Sequence, residues 1–195
     1  MKKINEIFYS LQGEGHNTGT PAIFIRFAGC NLNCSFCDTD NNHGKIMTDY
    51  DICKEVCKYP AQLIIATGGE PGLSLDDTLI DMLHNVGKKV AIETNGTQIL
   101  PTSADWITIS PKDLYIPEAK NVLKNANEVK VVFTKYDLNY DHYLTDINAN
   151  YYYLQPCDTG DNEQNAIIVA ETVKYIKLHP KWNLSLQMHK YINIP

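Results

Sequence analysis

Three cysteines stand within eight residues, Cys30, Cys34 and Cys37, in the spacing C-x3-C-x2-C. Thiolates two to four residues apart can wrap around a single centre. A tetrahedral zinc would need a fourth ligand, for which Cys53, Cys57, Cys157 and His43 are candidates. Buried, inert thiols would need none, and Cys53 and Cys57, one helical turn apart, read as core filler. An iron–sulfur cluster on three thiolates would leave one iron open to a small chelating molecule. An open cluster can do chemistry, where a fully ligated one usually serves electron transfer.

Other polar motifs share a position with the cysteines. Each directly follows a short apolar, β-branched run that reads as a strand. Residues 22–27 lead to Gly29 and Cys30. Residues 63–66 lead to Thr67-Gly68-Gly69-Glu70-Pro71, and 90–92 to Glu93-Thr94-Asn95-Gly96. Residues 106–109 lead to Ser110-Pro111-Lys112, 151–154 to Gln155-Pro156, and 184–186 to Gln187-Met188-His189-Lys190. Residues 129–133 form a further run, and 4–9 can pair with 22–27 across a Gly-rich loop.

Helical patterns fill several gaps. Thr48 and Asp49 are candidate caps of a helix through Lys58. Ser74 is a candidate cap of one over 75–86, with Leu79, Leu83 and Val86 on one face and Gly87 as its stop. Residues 162–178 read as a longer helix carrying Ile167, Ala170, Val173 and Ile176, ended by Pro180. Strands alternating with helices predict an α/β fold with parallel βαβ units. About six such units are too few for a closed eight-fold barrel, which takes roughly 250 residues. A partial (β/α) barrel over a single domain, residues 1–195, fits better, and its carboxyl strand ends would converge on one mouth.

The chain of 195 residues has 44% apolar and 21% charged residues, ordinary for a globular domain. Its net charge of −6 argues against nucleic acid or an anionic membrane as the main partner. No signal-like apolar run follows Lys2 and Lys3, and no stretch nears ~18 consecutive apolar residues. The expected location is the cytoplasm, where thiols stay reduced.

The segment Cys30-Asn31-Leu32-Asn33-Cys34-Ser35-Phe36-Cys37 resembles the CxxxCxΦC motif of the radical S-adenosylmethionine (SAM) superfamily. That resemblance implies a [4Fe–4S] cluster on Cys30, Cys34 and Cys37, with SAM chelating the fourth iron and yielding a 5′-deoxyadenosyl radical on reduction. It implies that Gly68, Gly69, Glu70 and Pro71 meet the methionyl amine, and that Phe36, Thr94 or Asn95, Ser110, Lys112 and Gln155 adjoin the cofactor. Both ends of the chain narrow it. Phe8-Tyr9-Ser10-Leu11-Gln12-Gly13-Glu14-Gly15, then Gly19-Thr20-Pro21 and Arg26, and the close Gln187 to Pro195, resemble the 7-carboxy-7-deazaguanine synthase family.

Resemblance to that family implies the ring contraction of 6-carboxy-5,6,7,8-tetrahydropterin with loss of ammonia, in the biosynthesis of queuosine and other 7-deazapurines. SAM is regenerated rather than consumed. An electron donor such as flavodoxin or ferredoxin, and a homodimer, are expected partners. A pterin edge of N–H groups suits a carboxylate acceptor, for which Glu14 and a terminal carboxylate on Pro195 are candidates. Arg26 offers a planar fork for the substrate carboxylate, or else a strand-face salt bridge. Gln12 and His189 can bond ring heteroatoms. In Asp38-Thr39-Asp40 the resemblance marks Thr39 as a Mg²⁺ ligand, with the two aspartates unassigned. The chain departs from some family members in its short cysteine loop, and its helical cover is thin between Asp113 and Lys130. Two rivals remain open on sequence: a glycyl-radical-enzyme activase, with a groove for a protein loop, and a zinc-stabilised binding module.

Overall fold

Strands β1 (Lys2–Leu11) and β2 (Pro21–Phe27) pair antiparallel, from Ile4 against Phe27 to Leu11 against Pro21. The Gly-rich loop between them turns on Gly15 and Gly19, both at positive φ, and closes with Gly19 N–H donating to the Gln12 carbonyl at 2.8 Å. The computed structural model describes residues 1–37, 39 and 43–195, so Asp38 and Asp40 lie outside the described residues.

The further strands are β3 (Lys45–Met47), β4 (Leu63–Gly68), β5 (Lys89–Thr94), β6 (Trp106–Ile109), β7 (Asn125–Phe133), β8 (Asn148–Pro156) and β9 (Asn183–Leu184). They form one sheet in the order β3-β1-β2-β4-β5-β6-β7-β8-β9. Every pair from β2 to β9 is parallel, giving the partial barrel that the alternation predicts. The short strand β3 has no counterpart in the sequence reading. Strand β9 stops at Leu184, two residues short of the run that marked it.

Side-chain alternation sorts the sheet into two faces. On the outer face Ile23, Ile25, Phe27, Ile64, Ala66, Val90 and Ile92 pack with Ile52 and Val56 of α1 (Asp49–Val56) and Leu79, Ile80 and Leu83 of α2 (Asp77–Asn85). A second cluster joins Val129, Val131, Phe133 and Leu154 to Ile168 and Tyr175 of α4 (Asn162–Leu178). Each fully buried aliphatic side chain contributes about 1.5–3 kcal/mol. The inner face begins with Ala22, Phe24, Ile65 and Ala91 and becomes polar toward the carboxyl ends. There Arg26 pairs in register with Thr67, and Glu93 with Thr108, which pairs in turn with Glu128.

The helices differ in detail from their sequence signals. Thr48 does cap α1, in a reciprocal capping box with Asp51, but the helix ends at Val56. Cys57 is therefore its exposed C-cap, while Cys53 is buried in the core. Ser74 does not cap α2. Pro71 opens a 3₁₀ turn that Ser74 closes, and Asp76 is the N-cap, its side chain accepting from Leu79 N–H at 2.9 Å. Ile80 takes the core position expected of Val86, which lies exposed beyond the last turn. Helix α4 spans the expected residues but buries Ile168, Thr172 and Tyr175, leaving Ile167 53% and Val173 38% exposed.

The six parallel crossovers are not six helices. Those from β5 to β6 and β6 to β7 carry no α-helix among the described residues, and β7 to β8 carries only a 3₁₀ turn and α3 (Tyr143–Asp146). Pro111 and Pro117 explain the bare stretch after β6, since each removes a helical donor and restricts the residue before it. Among the described residues no helix is long and apolar enough to cross a membrane.

Candidate active site

A cavity of about 470 Å³ opens at the carboxyl ends of the parallel strands. Cys30, Cys34 and Cys37 line it, as do Phe36 and Thr39. Strand β2 delivers the cysteine loop. Beyond Phe27 the chain is pinned to β4, with Gly69 N–H donating to the Phe27 carbonyl and Glu70 N–H to that of Gly29, both at 2.9 Å. The two glycines of the Gly-Gly-Glu-Pro motif are required by this approach. A Cβ at Gly68 would strike the Phe27 backbone, and one at Gly69 the Gly29 carbonyl, each well inside 3.0 Å.

Cys30 and Cys34 are half-buried and Cys37 is exposed. Leu32 N–H donates to Cys30 Sγ at 3.4 Å, and the Asn95 amide lies 3.9 Å from the same sulfur. Burial pushes both half-buried thiols up, while the Lys112 ammonium opposes this at Cys34. Among the described residues no three His, Cys, Asp or Glu side chains form a set that could hold one metal ion. Cys30, Cys34 and Cys37 thus offer an all-thiolate donor set on one cavity wall, the ligand chemistry that an iron–sulfur cluster takes.

Gly68, Gly69, Thr94, Ser110, Lys112 and Gln155 also line the cavity. Lys112 is half-buried and donates to the Ser110 carbonyl and hydroxyl at 2.5 and 2.6 Å; burial pushes its pKa down to about 8. Gln155 accepts from the Ser185 hydroxyl at 2.8 Å. Phe36 meets the edge of Tyr115 at 5.0 Å, and Tyr115 donates its hydroxyl proton to the Val132 carbonyl. Glu70 is 1% exposed and sits behind the wall. Its carboxylate accepts from Thr94 Oγ1 and Asn95 N–H at 2.7 Å and from Gly72 N–H at 2.8 Å. Burial pushes that carboxyl up against these bonds.

The other end of the cavity is built from both ends of the chain. Gln12, Glu14, Arg26, His189 and Pro195 all line it. Met188 N–H donates to the Gly13 carbonyl at 2.9 Å, and the Ser10 hydroxyl donates to the Pro195 oxygen at 2.7 Å. Gly13 has no room for a side chain because the His189 ring occupies that space. These contacts bridge the gap between β9 and β1. Arg26 makes the strand-face salt bridge, Nε to Glu6 at 2.7 Å, and also lies over the Phe8 ring. Both ends of the Gln12 amide are engaged, Nε2 donating to Glu93 at 2.9 Å and Oε1 accepting from Glu14 N–H at 3.1 Å.

Two functional groups escaped the sequence reading. Lys130, only 7% exposed at its side chain, donates to Glu14 at 2.5 Å and lies 3.4 Å from Glu93. Glu93, which the sequence offers only as the first polar residue after the run 90–92, also accepts from Thr67 Oγ1 at 3.1 Å. Burial works to raise Glu14, but the charge and hydrogen bond of Lys130, with Gln187, hold it down to about 2. Lys130 itself is raised, its burial outweighed by Glu14, Glu93 and Glu128. The available signal was Glu128 and Lys130 alternating with Val129 and Val131, which places two charges on the inner face of a strand.

A partial barrel with three cysteines at its mouth defines a class, the radical SAM enzymes, and the Radical SAM superfamily profile matches residues 24–132. Class membership implies a [4Fe–4S] cluster and SAM, and with them an electron donor and a small-molecule substrate. The 7-carboxy-7-deazaguanine synthase of Bacteroides thetaiotaomicron is 54% identical, covering 100% of this chain and 99% of its own. That of Burkholderia multivorans is 40% identical, covering 98% of each. The crystal structure of QueE from Escherichia coli superposes with a TM-score of 0.77 at 28% identity, covering 96% of this chain and 94% of that one. The chain belongs to the 7-carboxy-7-deazaguanine synthase family.

Proposed function

We propose that the chain, acting as a single domain of residues 1–195, contracts 6-carboxy-5,6,7,8-tetrahydropterin to 7-carboxy-7-deazaguanine with loss of ammonia, a step toward queuosine and other 7-deazapurines. The observation that carries this reading is one cavity with three cysteines at one end and the Glu14 carboxylate, His189 and Pro195 at the other.

Cys30, Cys34 and Cys37 would hold the cluster, with SAM among Phe36, Gly68, Gly69, Thr94, Ser110, Lys112 and Gln155. The cluster and SAM, when bound there, would supply one-electron bond cleavage and hence hydrogen-atom abstraction. Glu70 holds Thr94 and Asn95 in place from behind the wall. Glu14, ionised and fixed, accepts the paired N–H groups of the pterin edge, and Pro195, whose oxygen takes the Ser10 hydroxyl, lies beside it. Arg26 offers its outer guanidinium nitrogens to the substrate carboxylate while Nε stays on Glu6. Gln12 and His189 fix the ring plane. Thr39 would contribute an oxygen to a Mg²⁺ ion. Flavodoxin or ferredoxin would deliver the electron in the cytoplasm, and a second copy, forming a homodimer, would cover the helix-poor connection after β6.

The test is anaerobic reconstitution with iron and sulfide, then incubation with the carboxylated tetrahydropterin, SAM and a reductant. Mass spectrometry of the product should show 7-carboxy-7-deazaguanine. Protein that loads iron and cleaves SAM yet forms no deazaguanine overturns the proposal.

A further inference from the structure

The ammonium of Lys130 is buried among carboxylates from three places in the chain. Glu14 comes from the loop after β1, Glu93 from the end of β5, and Glu128 from the same face of β7 two residues earlier. Glu128 accepts from His16 N–H at 2.9 Å and so is held apart. Tyr153 sits beside Lys130 in register on β8, Lys112 faces it from beyond β6, and His189 faces Glu14 from the C-terminal segment.

We propose that Lys130 is a positioning residue that holds Glu14 as a fixed anion toward the substrate, with Glu93 sharing the cation and orienting Gln12. This rests on the proposed function, in which Glu14 meets the N–H edge of the pterin. A carboxylate has about four acceptor positions, two per oxygen. Lys130 takes one on Oε2, and Gln187 Nε2 takes one on Oε1 at 3.0 Å. Each oxygen keeps acceptor capacity, which is what an amino group and a ring N–H side by side require. A neutral acid in the same place would present a donor and lose half of that match. In a dry site burial favours the neutral form, so the counter-ion determines what Glu14 can recognise. Glu93 completes the arrangement: its Oε1 takes both Lys130 and Gln12, and this leaves Gln12 Oε1 facing the Glu14 amide.

The test titrates reconstituted holoenzyme with 6-carboxypterin, followed by its fluorescence, between pH 5 and 9. The second probe is 6-carboxylumazine, which carries a carbonyl where the pterin has its amino group. Lys130→Met should weaken pterin binding roughly tenfold or more, as truncating one member of a buried charged pair does. Lumazine binding should change much less, and the acid limb of the pterin profile should move to higher pH. Glu14→Gln should show the same loss of discrimination, and the double variant should be no worse than either single one. Equal weakening of both probes, or an unchanged pterin profile, in Lys130→Met overturns the positioning role. An unaffected pterin affinity in Glu14→Gln overturns instead the underlying reading of Glu14. If Lys130→Met does not fold, Lys130→Met/Glu93→Gln, which removes one buried carboxylate with the cation, carries the same comparison.

Discussion

Replacing Gly69 by alanine should dismantle the cysteine loop while leaving the rest of the sheet standing. The added methyl would lie far inside 3.0 Å of the Gly29 carbonyl and close to Cys30 N, so backbone must retreat by more than an ångström. Two hydrogen bonds of 2.9 Å, from Gly69 N–H to Phe27 and from Glu70 N–H to Gly29, lie directly in the path of that retreat. Overpacking costs about 1–3 kcal/mol. Two weakened hydrogen bonds add about 0.5–1.5 kcal/mol each. The expected loss is therefore roughly 2–6 kcal/mol, concentrated where Cys30 leaves the strand. Urea unfolding of the cluster-free protein measures the stability, and iron per chain after reconstitution measures the loop. Gly87→Ala is the control: it carries a positive φ, a backbone strain absent at Gly69, but has nothing within 4 Å of its Cβ, so it should lose about 1–2 kcal/mol and load iron fully. A Gly69→Ala protein with wild-type stability and full iron content would refute the close-approach argument.

Asp76→Ala should cost about 1–2 kcal/mol in urea unfolding through loss of the α2 cap, whereas Ser74→Ala should stay within about 0.5 kcal/mol; the reverse order would restore Ser74 as the cap. Asp141 accepts from His179 at 2.5 Å, Trp182 at 2.8 Å and Tyr175 at 3.2 Å; burial works to raise its carboxyl, yet these bonds hold it below the usual value. A depressed folded pKa contributes stability above the unfolded value of about 3.9, and this is lost as pH falls through the lower folded value. Asp141→Asn should thus be less stable than wild type at pH 7, and the gap should close below about pH 4; a gap constant from pH 7 to pH 3 would contradict the linkage.

Most of the sheet was legible because its strands are short apolar, β-branched runs that stop at polar or glycine residues, as Ile92 gives way to Glu93 and Thr94. Strand β3 was not, since Lys45–Met47 is short and, among the described residues, pairs only with β1. The face of α4 was misread because Tyr175, in ring contact with Phe133, Tyr136 and Tyr140, draws the helix round against the apolar count. Within the site the cysteines and glycines announced themselves by spacing, and resemblance supplied their meaning. The engaged carboxylate of Glu70 and the ion pair of Lys130 did not, because their partners are set by register and long-range closure. Glu14 and Lys130 are 116 residues apart in sequence.

The seam between β9 and β1 also constrains how the molecule matures. Ser10 meets Pro195 across 185 residues, Glu14 meets Gln187 across 173 and Gly15 meets Ser185 across 170. Contacts of such separation gain nothing until nearly all the intervening chain is ordered. The cysteine side is made largely from β2, β4 and β5 and can consolidate early, while the opposite wall waits for the final residues to arrive. A polypeptide halted short of that point would present a formed thiol loop above an unfinished basin.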